Sequence, residues 1–157
     1  MTKIKNRSEL REILSRRRTA GSTVVFTNGC FDLLHPGHIH LLTEAKSQGD
    51  ILVVALNSDA SVRKIKGNGR PILPEADRAL LVSALEAVDY VVIFDEADPL
   101  ELIRELSPDV LVKGGDWEAH EIIGKELVTK VVVVSYQSGY STTEIIKRVL
   151  GPPSSVH

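Results

Sequence analysis

Two histidines, His35 and His38, stand three residues apart across a Pro-Gly in the segment Phe26-Thr27-Asn28-Gly29-Cys30-Phe31-Asp32-Leu33-Leu34-His35-Pro36-Gly37-His38. Proline near a helix start is favoured, so this spacing aims both imidazoles at one point beside a helix amino end. Three chemistries suit such a pair: metal ligation, capping of a turn, or paired donation to a phosphate oxygen. A metal pair needs a third ligand of matching geometry, and the chain has neither a cysteine cluster nor a His-x-x-x-His. Fixed donors aimed at growing charge are worth about a few kcal/mol each, so phosphate is the favoured reading and the other two stay open. Gly29 and Gly37 let backbone approach a phosphate closely. Cys30, the single cysteine, is read as a small buried side chain that offers its backbone N–H, and not as a nucleophile.

The elements that must position these residues are legible in the hydrophobic pattern. Thr23–Thr27, Ile51–Leu56, Tyr90–Phe94, Asp109–Val112 and Lys130–Val134 are strand-sized apolar runs without strict alternation, as expected of strands covered on both faces. Helical spacing fills the intervals. A first helix is expected from Gly37 to about Ser47 with Ile39, Leu42 and Ala45 inward and Gly49 as its stop. A short helix starts at Asp59. Another begins near Pro74 with Ala79, Leu80, Leu81, Ala84 and Leu85 as its apolar stripe, and a third follows Asp98-Pro99. The last, Ser141–Leu150, opens on Ser141-Thr142-Thr143-Glu144, a capping-box pattern. Ahead of the first strand, Ser8–Arg18 is amphipathic and ends in a basic triplet read as a solvated helix end. In such α/β chains ligands sit where strand carboxyl ends meet helix amino ends, which is where the histidine segment falls.

At 157 residues the chain is read as one domain, with residues 1–150 expected to form it, a leading helix expected in 1–20 and a disordered tail expected over 151–157. It carries 19 Lys and Arg against 21 Asp and Glu, a net charge of −2, which excludes extended binding to nucleic-acid backbone. No apolar stretch has the length of a signal peptide or a membrane span. The expected setting is the cytoplasm, with no nucleic acid and no membrane as partner.

Gly29 to His38 resembles the His-x-Gly-His signature of the nucleotidylyltransferase superfamily, strengthened by the Gly-x-Phe-Asp before it. Gly139-Tyr140-Ser141-Thr142-Thr143 is similar to that superfamily's Gly-x-Ser-Thr-Thr. Asn57-Ser58-Asp59-Ala60-Ser61-Val62-Arg63, Lys66-Gly67, Arg70-Pro71-Ile72 and Val110-Leu111-Val112-Lys113-Gly114-Gly115-Asp116 resemble the branch that adenylates heptose 1-phosphate. The implied fold is a Rossmann-like three-layer α/β/α domain with five parallel strands in the order 3-2-1-4-5. The implied reaction moves AMP from ATP to D-glycero-β-D-manno-heptose 1-phosphate, with nucleotide-bound Mg²⁺ as cofactor and no protein-held metal. A separate sugar kinase and a homodimer or higher homo-oligomer are the implied partners.

The resemblance also implies roles. His35, His38 and Lys66 act at the α-phosphate. Asn28, Gly29, Cys30, Phe31, Gly37, Lys113, Asp116, Gly139, Ser141, Thr142 and Thr143 bind the nucleotide, and Asp32, Asn57, Lys66 and Arg78 face the acceptor. Lys46, Lys64 and Arg70 are secondary candidates for neutralising phosphate, and any of Phe31, Trp117, Tyr136 and Tyr140 is placed to flank the base. A sugar phosphate is already ionised, so no general base is demanded. Asp116-Trp117 is shared with glycerol-phosphate cytidylyltransferases, which leaves CTP with glycerol 3-phosphate or another small phosphate as the alternative. A nucleotide sensor without turnover is the rival of another class.

Overall fold

The computed structural model describes residues 2–135 and 139–151. Five parallel strands, β1 (Val24–Gly29), β2 (Ile51–Asn57), β3 (Tyr90–Phe94), β4 (Val110–Gly114) and β5 (Lys130–Val134), form one sheet in the order β3-β2-β1-β4-β5. β1 pairs β2 through Val24↔Ile51 to Gly29↔Leu56, and pairs β4 through Val25↔Val110 and Phe26↔Leu111. The expected order is therefore the observed one, and the chain reverses its direction of winding between β1 and β4. β1 and β4 each run two residues past the expected ends, to Gly29 and Gly114, so backbone of the histidine segment and of the Lys113 segment belongs to the sheet edge itself.

Every residue of β2 is buried, the mark of a central strand covered on both faces. Alternate residues divide between two cores. Val24, Phe26 and Val53 pack with Leu10 and Leu14 of α1 (Arg7–Thr19) and with Leu102, Ile103 and Leu106 of α5 (Leu100–Leu106). Val25, Leu52, Val54 and Val112 pack with Leu42 and Ala45 of α2 (Pro36–Lys46) and with Ala79 and Val82 of α4 (Glu75–Ser83). α3 (Asp59–Lys66) and α6 (Thr142–Leu150) complete the set, with short 3₁₀ turns at Ala119–Glu121 and Lys125–Leu127 that the apolar pattern does not announce. None of the helices is long and apolar enough to cross a membrane among the described residues.

Local rules explain most element ends. Asn6 caps α1 by accepting from the Glu9 N–H at 2.9 Å, Ser58 caps α3 by accepting from Ser61, and Ser141 caps α6 by accepting from Glu144 at 3.1 Å. The Glu144 carboxylate turns to Lys147, so only half of the expected capping box forms. Residues 3–5 run along the outer edge of β3, where Lys5 N–H donates to Val91 and Val91 N–H donates to Lys3, and this covers an edge that would otherwise be open to pairing.

Three expectations are corrected. The stripe assigned to α4 is rotated: Arg78, Ala79 and Val82 are buried, while Leu80 is 62% and Leu81 45% exposed. The helix begins at Glu75, which puts the 78, 79 and 82 positions on the inner face. Ile39 of α2 is 43% exposed rather than inward. Arg18 is not merely solvated, since its Nη1 donates to the Leu106 and Ser107 carbonyls and closes the carboxyl end of α5.

Gly49, two residues past the Ser47 cap that ends α2, sits at a close approach. A Cβ there would lie 2.7 Å from Val25 Cγ2 and 2.9 Å from the Thr23 carbonyl, at the start of β1. Gly49→Ala is expected to lower stability by about 1–3 kcal/mol, read as a lower urea midpoint with unchanged slope. Gly69→Ala, where nothing lies within 4 Å, serves as the neutral comparison.

Candidate active site

Between β1 and α2 the chain makes a tight, strained passage. Phe31 adopts φ 47, a left-handed conformation rare for a bulky residue, and its ring folds back over Gly29, where a Cβ would meet it at 3.0 Å. The same ring lies 5.0 Å from that of His38. His35 is the N-cap of α2 in extended conformation, makes no side-chain capping bond, and is followed by Pro36 in the first turn. Turn capping by His35 is thereby set aside. Its ring covers Gly37, where a Cβ would come within 3.0 Å of Cε1 and Nδ1. The two imidazoles stack at 3.8 Å between centroids and 21° between planes.

Stacked rings of this kind resist holding charge. Burial is the main cause that pushes His38 down to about 4, with His35 adding to it and the Leu33 backbone opposing; burial also lowers His35. Both are neutral near pH 7. Their Nδ1 atoms are buried and have no hydrogen-bond partner among the described residues. Among the described residues no group of three or more His, Cys, Asp and Glu is placed to hold a metal ion.

The amino end of α6 meets the same spot. Tyr140 Cβ lies 3.5 Å from where a Gly37 Cβ would be, so Gly139, Ser141, Thr142 and Thr143 are brought beside the histidine segment although a hundred residues separate them in sequence. Gly139 has φ 86, which suits glycine at this turn. Tyr136 lies outside the described residues. From β4, Lys113 Nζ donates to Asn28 Oδ1 at 3.3 Å and stands 5.8 Å from the centroid of the Trp117 ring, which is 47% exposed. Burial lowers the Lys113 pKa, and no carboxylate pairs it among the described residues. Asp116 is exposed on the loop that follows.

Cys30 marks where the positive groups converge. Cys30 is half-buried rather than fully buried; burial raises its thiol pKa, while the charges of Lys66, Arg78 and Arg70 act in the opposite direction. Lys66, at the end of α3, is exposed. Lys46 does not belong here: its Nζ bonds the Asp50 carbonyl and the Asp89 carboxylate. Lys64 is exposed on α3.

Three acceptor-side assignments are corrected. Arg78 is fully buried, and its guanidinium is spent on protein: Nε donates to Leu73 O, Nη1 to Cys30 O and Asn57 O, and Nη2 to Asp59. Asp32 is 1% exposed and accepts from Arg70 Nε at 2.6 Å and from the Ile72 and Leu73 N–H groups. Asn57 is 4% exposed and donates to Ser61 Oγ, with Cys30 Sγ 4.0 Å from its Oδ1. None of these three side chains is open to an acceptor. They hold the loop of residues 67–74 against the histidine segment, a role that spacing alone did not reveal. Beyond His35, an open cavity of about 540 Å³ is lined by Leu34, His35, Pro36, Ile39 and His40.

Comparison with known proteins bears on the family and the fold. Residues 26–148 match the family model described as cytidylyltransferase-like. The chain is 52% identical over 149 residues to the bifunctional protein HldE of Wolinella succinogenes, and 54% identical over 147 residues to that of Campylobacter curvus. These matches take in 95% and 94% of this chain but only 31% of each relative, so the chain spans about a third of their length. Among solved structures, a lipopolysaccharide core biosynthesis protein from Thermoplasma volcanium superposes with TM-score 0.65 at 36% identity, over 75% of this chain and all of that one. A pantoate-beta-alanine ligase from Francisella tularensis matches at TM-score 0.61 and 17% identity, over 87% of this chain and 68% of that one, which bears on the fold alone.

The neutrality of the histidine pair is directly measurable. In a proton NMR titration of the free chain, His38 is expected to titrate near pH 4. Since its folded pKa lies below the ordinary histidine value of 6.5, the unfolded chain binds more protons between about pH 6.5 and 4, and stability falls as pH is lowered through that window. Adding a nucleoside triphosphate should raise the midpoint; an apo midpoint near 6.5 would contradict the buried, stacked arrangement.

Proposed function

The chain belongs to the cytidylyltransferase-like family, and from that premise we propose that it transfers AMP from ATP to D-glycero-β-D-manno-heptose 1-phosphate, forming ADP-heptose and pyrophosphate. The observation that carries the reading is the stacked, neutral His35–His38 pair at the amino end of α2, beside the amino end of α6, with both Nδ1 atoms unpartnered among the described residues. Support for the heptose branch comes from the Asn57–Ile72 and Val110–Asp116 wording, from the identity to proteins named HldE, and from the similar structure titled for lipopolysaccharide core biosynthesis.

An oxygen of the sugar phosphate attacks the α-phosphorus, the bond from that phosphorus to the bridging oxygen of the β-phosphate breaks, and pyrophosphate leaves on the opposite side. The nucleophile needs no deprotonation. His35 and His38 each donate one N–H to the α-phosphate, whose charge grows in the transition state; neutral imidazoles held in a fixed stack do this without reorganisation. Ser141, Thr142 and Thr143 receive the leaving pyrophosphate, helped by the positive end of the α6 dipole. Asn28, Gly29, Phe31 and Gly37 shape the nucleotide side, and Lys113 and Asp116 approach from β4. Lys66 offsets repulsion between the two phosphates. Mg²⁺, when present, supplies further charge neutralisation and is held by the phosphate oxygens of the nucleotide, with no protein cage required. The sugar phosphate must come from a sugar kinase, whether on the same polypeptide or another.

Pyrophosphate release tests this, with ATP and CTP crossed against heptose 1-phosphate, glycerol 3-phosphate and no acceptor. Turnover is expected with ATP and heptose 1-phosphate only, and His38→Ala should lower kcat by about 10²–10³-fold with nucleotide binding largely retained. Turnover with CTP and glycerol 3-phosphate instead would move the assignment to the cytidylyltransferase branch. Nucleotide binding without turnover for any acceptor would favour a sensor.

A further inference from the structure

We propose that Arg70, aimed by the buried carboxylate of Asp32, is the residue that receives the phosphate of the acceptor, on the β2 side of the histidine pair. The proposal rests on the adenylyl-transfer reading and adds to it the group that recognises the incoming phosphate.

Arg70 and Arg78 belong to the same stretch of chain and have opposite fates. Arg78 is fully buried with its guanidinium turned onto carbonyls and Asp59. Arg70 commits only Nε, to Asp32 at 2.6 Å, and its side chain keeps 17% exposure. Its Nη1 and Nη2 make no hydrogen bond to protein among the described residues. Those two nitrogens form the flat edge that grips a phosphate with two parallel hydrogen bonds, and fixing Nε leaves that edge aimed and available.

The loop that carries Arg70 cannot drift. Leu73 N–H donates to Asp32 Oδ1 at 3.0 Å, and Leu73 O accepts from Arg78 Nε at 2.9 Å. Asp32 lies three residues before His35, so the carboxylate that orients Arg70 is part of the segment that carries the histidines. The charges of Arg70 and Lys66 both act on the Cys30 thiol, in the same sense.

Direction follows from displacement geometry. The nucleophile enters opposite the leaving group. α6, which receives pyrophosphate in this reading, follows β5 on the β4–β5 side of β1, whereas the loop of Arg70 follows β2 on the other side. In this reading a phosphate bound to Arg70 enters from the β2 side and pyrophosphate leaves towards α6.

The test uses the full chain with three variants, Arg70→Ala, Arg70→Lys and Asp32→Asn, each checked for folding by circular dichroism. Arg70→Ala is expected to raise KM for heptose 1-phosphate about 10–100-fold, the scale of a charge-assisted hydrogen-bond pair, while Kd for MgATP changes less than about threefold. Added guanidinium ion should recover part of the acceptor KM in Arg70→Ala, a recovery that a purely structural arginine would not show. Arg70→Lys should fail to restore it, because an ammonium cannot both bond Asp32 and present a two-nitrogen edge. Asp32→Asn should show the same acceptor-weighted loss. An unchanged acceptor KM in Arg70→Ala, or an equal loss of MgATP affinity, would overturn the proposal. If the wild-type chain turns over no heptose 1-phosphate, the heptose reading fails separately. Arg70 is then judged by inorganic phosphate binding in the presence of α,β-methylene-ATP: loss in Arg70→Ala supports it, and equal binding overturns it.

Discussion

Leu73 is held through both its N–H and its carbonyl by buried charges of opposite sign, and the arrangement of the site hangs on that grip. Asp32 takes the N–H and Arg78 the carbonyl. Burial alone pushes the Asp32 pKa up, yet the Leu73 and Ile72 N–H groups and Arg70 together bring it below the usual carboxylate range. Such a charge is tolerable inside a protein only because its partners are complete; removing one partner of a buried pair costs about 3–5 kcal/mol. The same two residues also reach the histidine segment, Asp32 by belonging to it and Arg78 through Cys30 O. The loop after α3 and the turn before α2 therefore behave as one unit, and neither side chain is left to touch substrate.

The two edges of the sheet are charged differently. At the amino ends of the strands, carboxylates accept from strand-start N–H groups: Asp50 from Thr23, Asp109 from Val24 and Asp89 from Leu52. Lys46 is drawn to that edge by Asp89. At the carboxyl ends, Lys66, Arg70 and Lys113 gather around Cys30 and Asn28 with Asp32 already satisfied. A chain of net charge −2 thus presents a local positive field where helix amino ends also point, which suits polyphosphate without any general affinity for polyanions.

Within that field the histidines are neutral, and the physics is consistent. Adding two imidazolium charges to a buried stack beside cations would be costly, whereas neutral rings keep one N–H each for a phosphate oxygen. The strain at Phe31 and the unpartnered Nδ1 atoms are concentrated in the same few residues. Stability is held elsewhere, in the two cores that sandwich the sheet, and the site borrows its rigidity from them.

The amino-acid sequence determined the parallel sheet, the helix starts at Asp59 and Ser141, and the His35-to-His38 segment at a helix amino end, because strand runs, caps and turn residues act over a few neighbours. Helical spacing could not say which face of α4 points inward, and it chose Leu80 and Leu81 where the structure buries Arg78. Nor could it see which cations the fold would bury. It put Arg78 ahead of Arg70, and only the packing of α4 under the β1 and β2 ends made the first a strut and left the second with its Nη1 and Nη2 uncommitted among the described residues. The nearness of Tyr140 to Gly37 likewise depends on strand order. Local pattern is set by neighbouring residues, whereas the satisfaction of a buried charge is set by whichever elements close around it, and that is known only once the chain has folded.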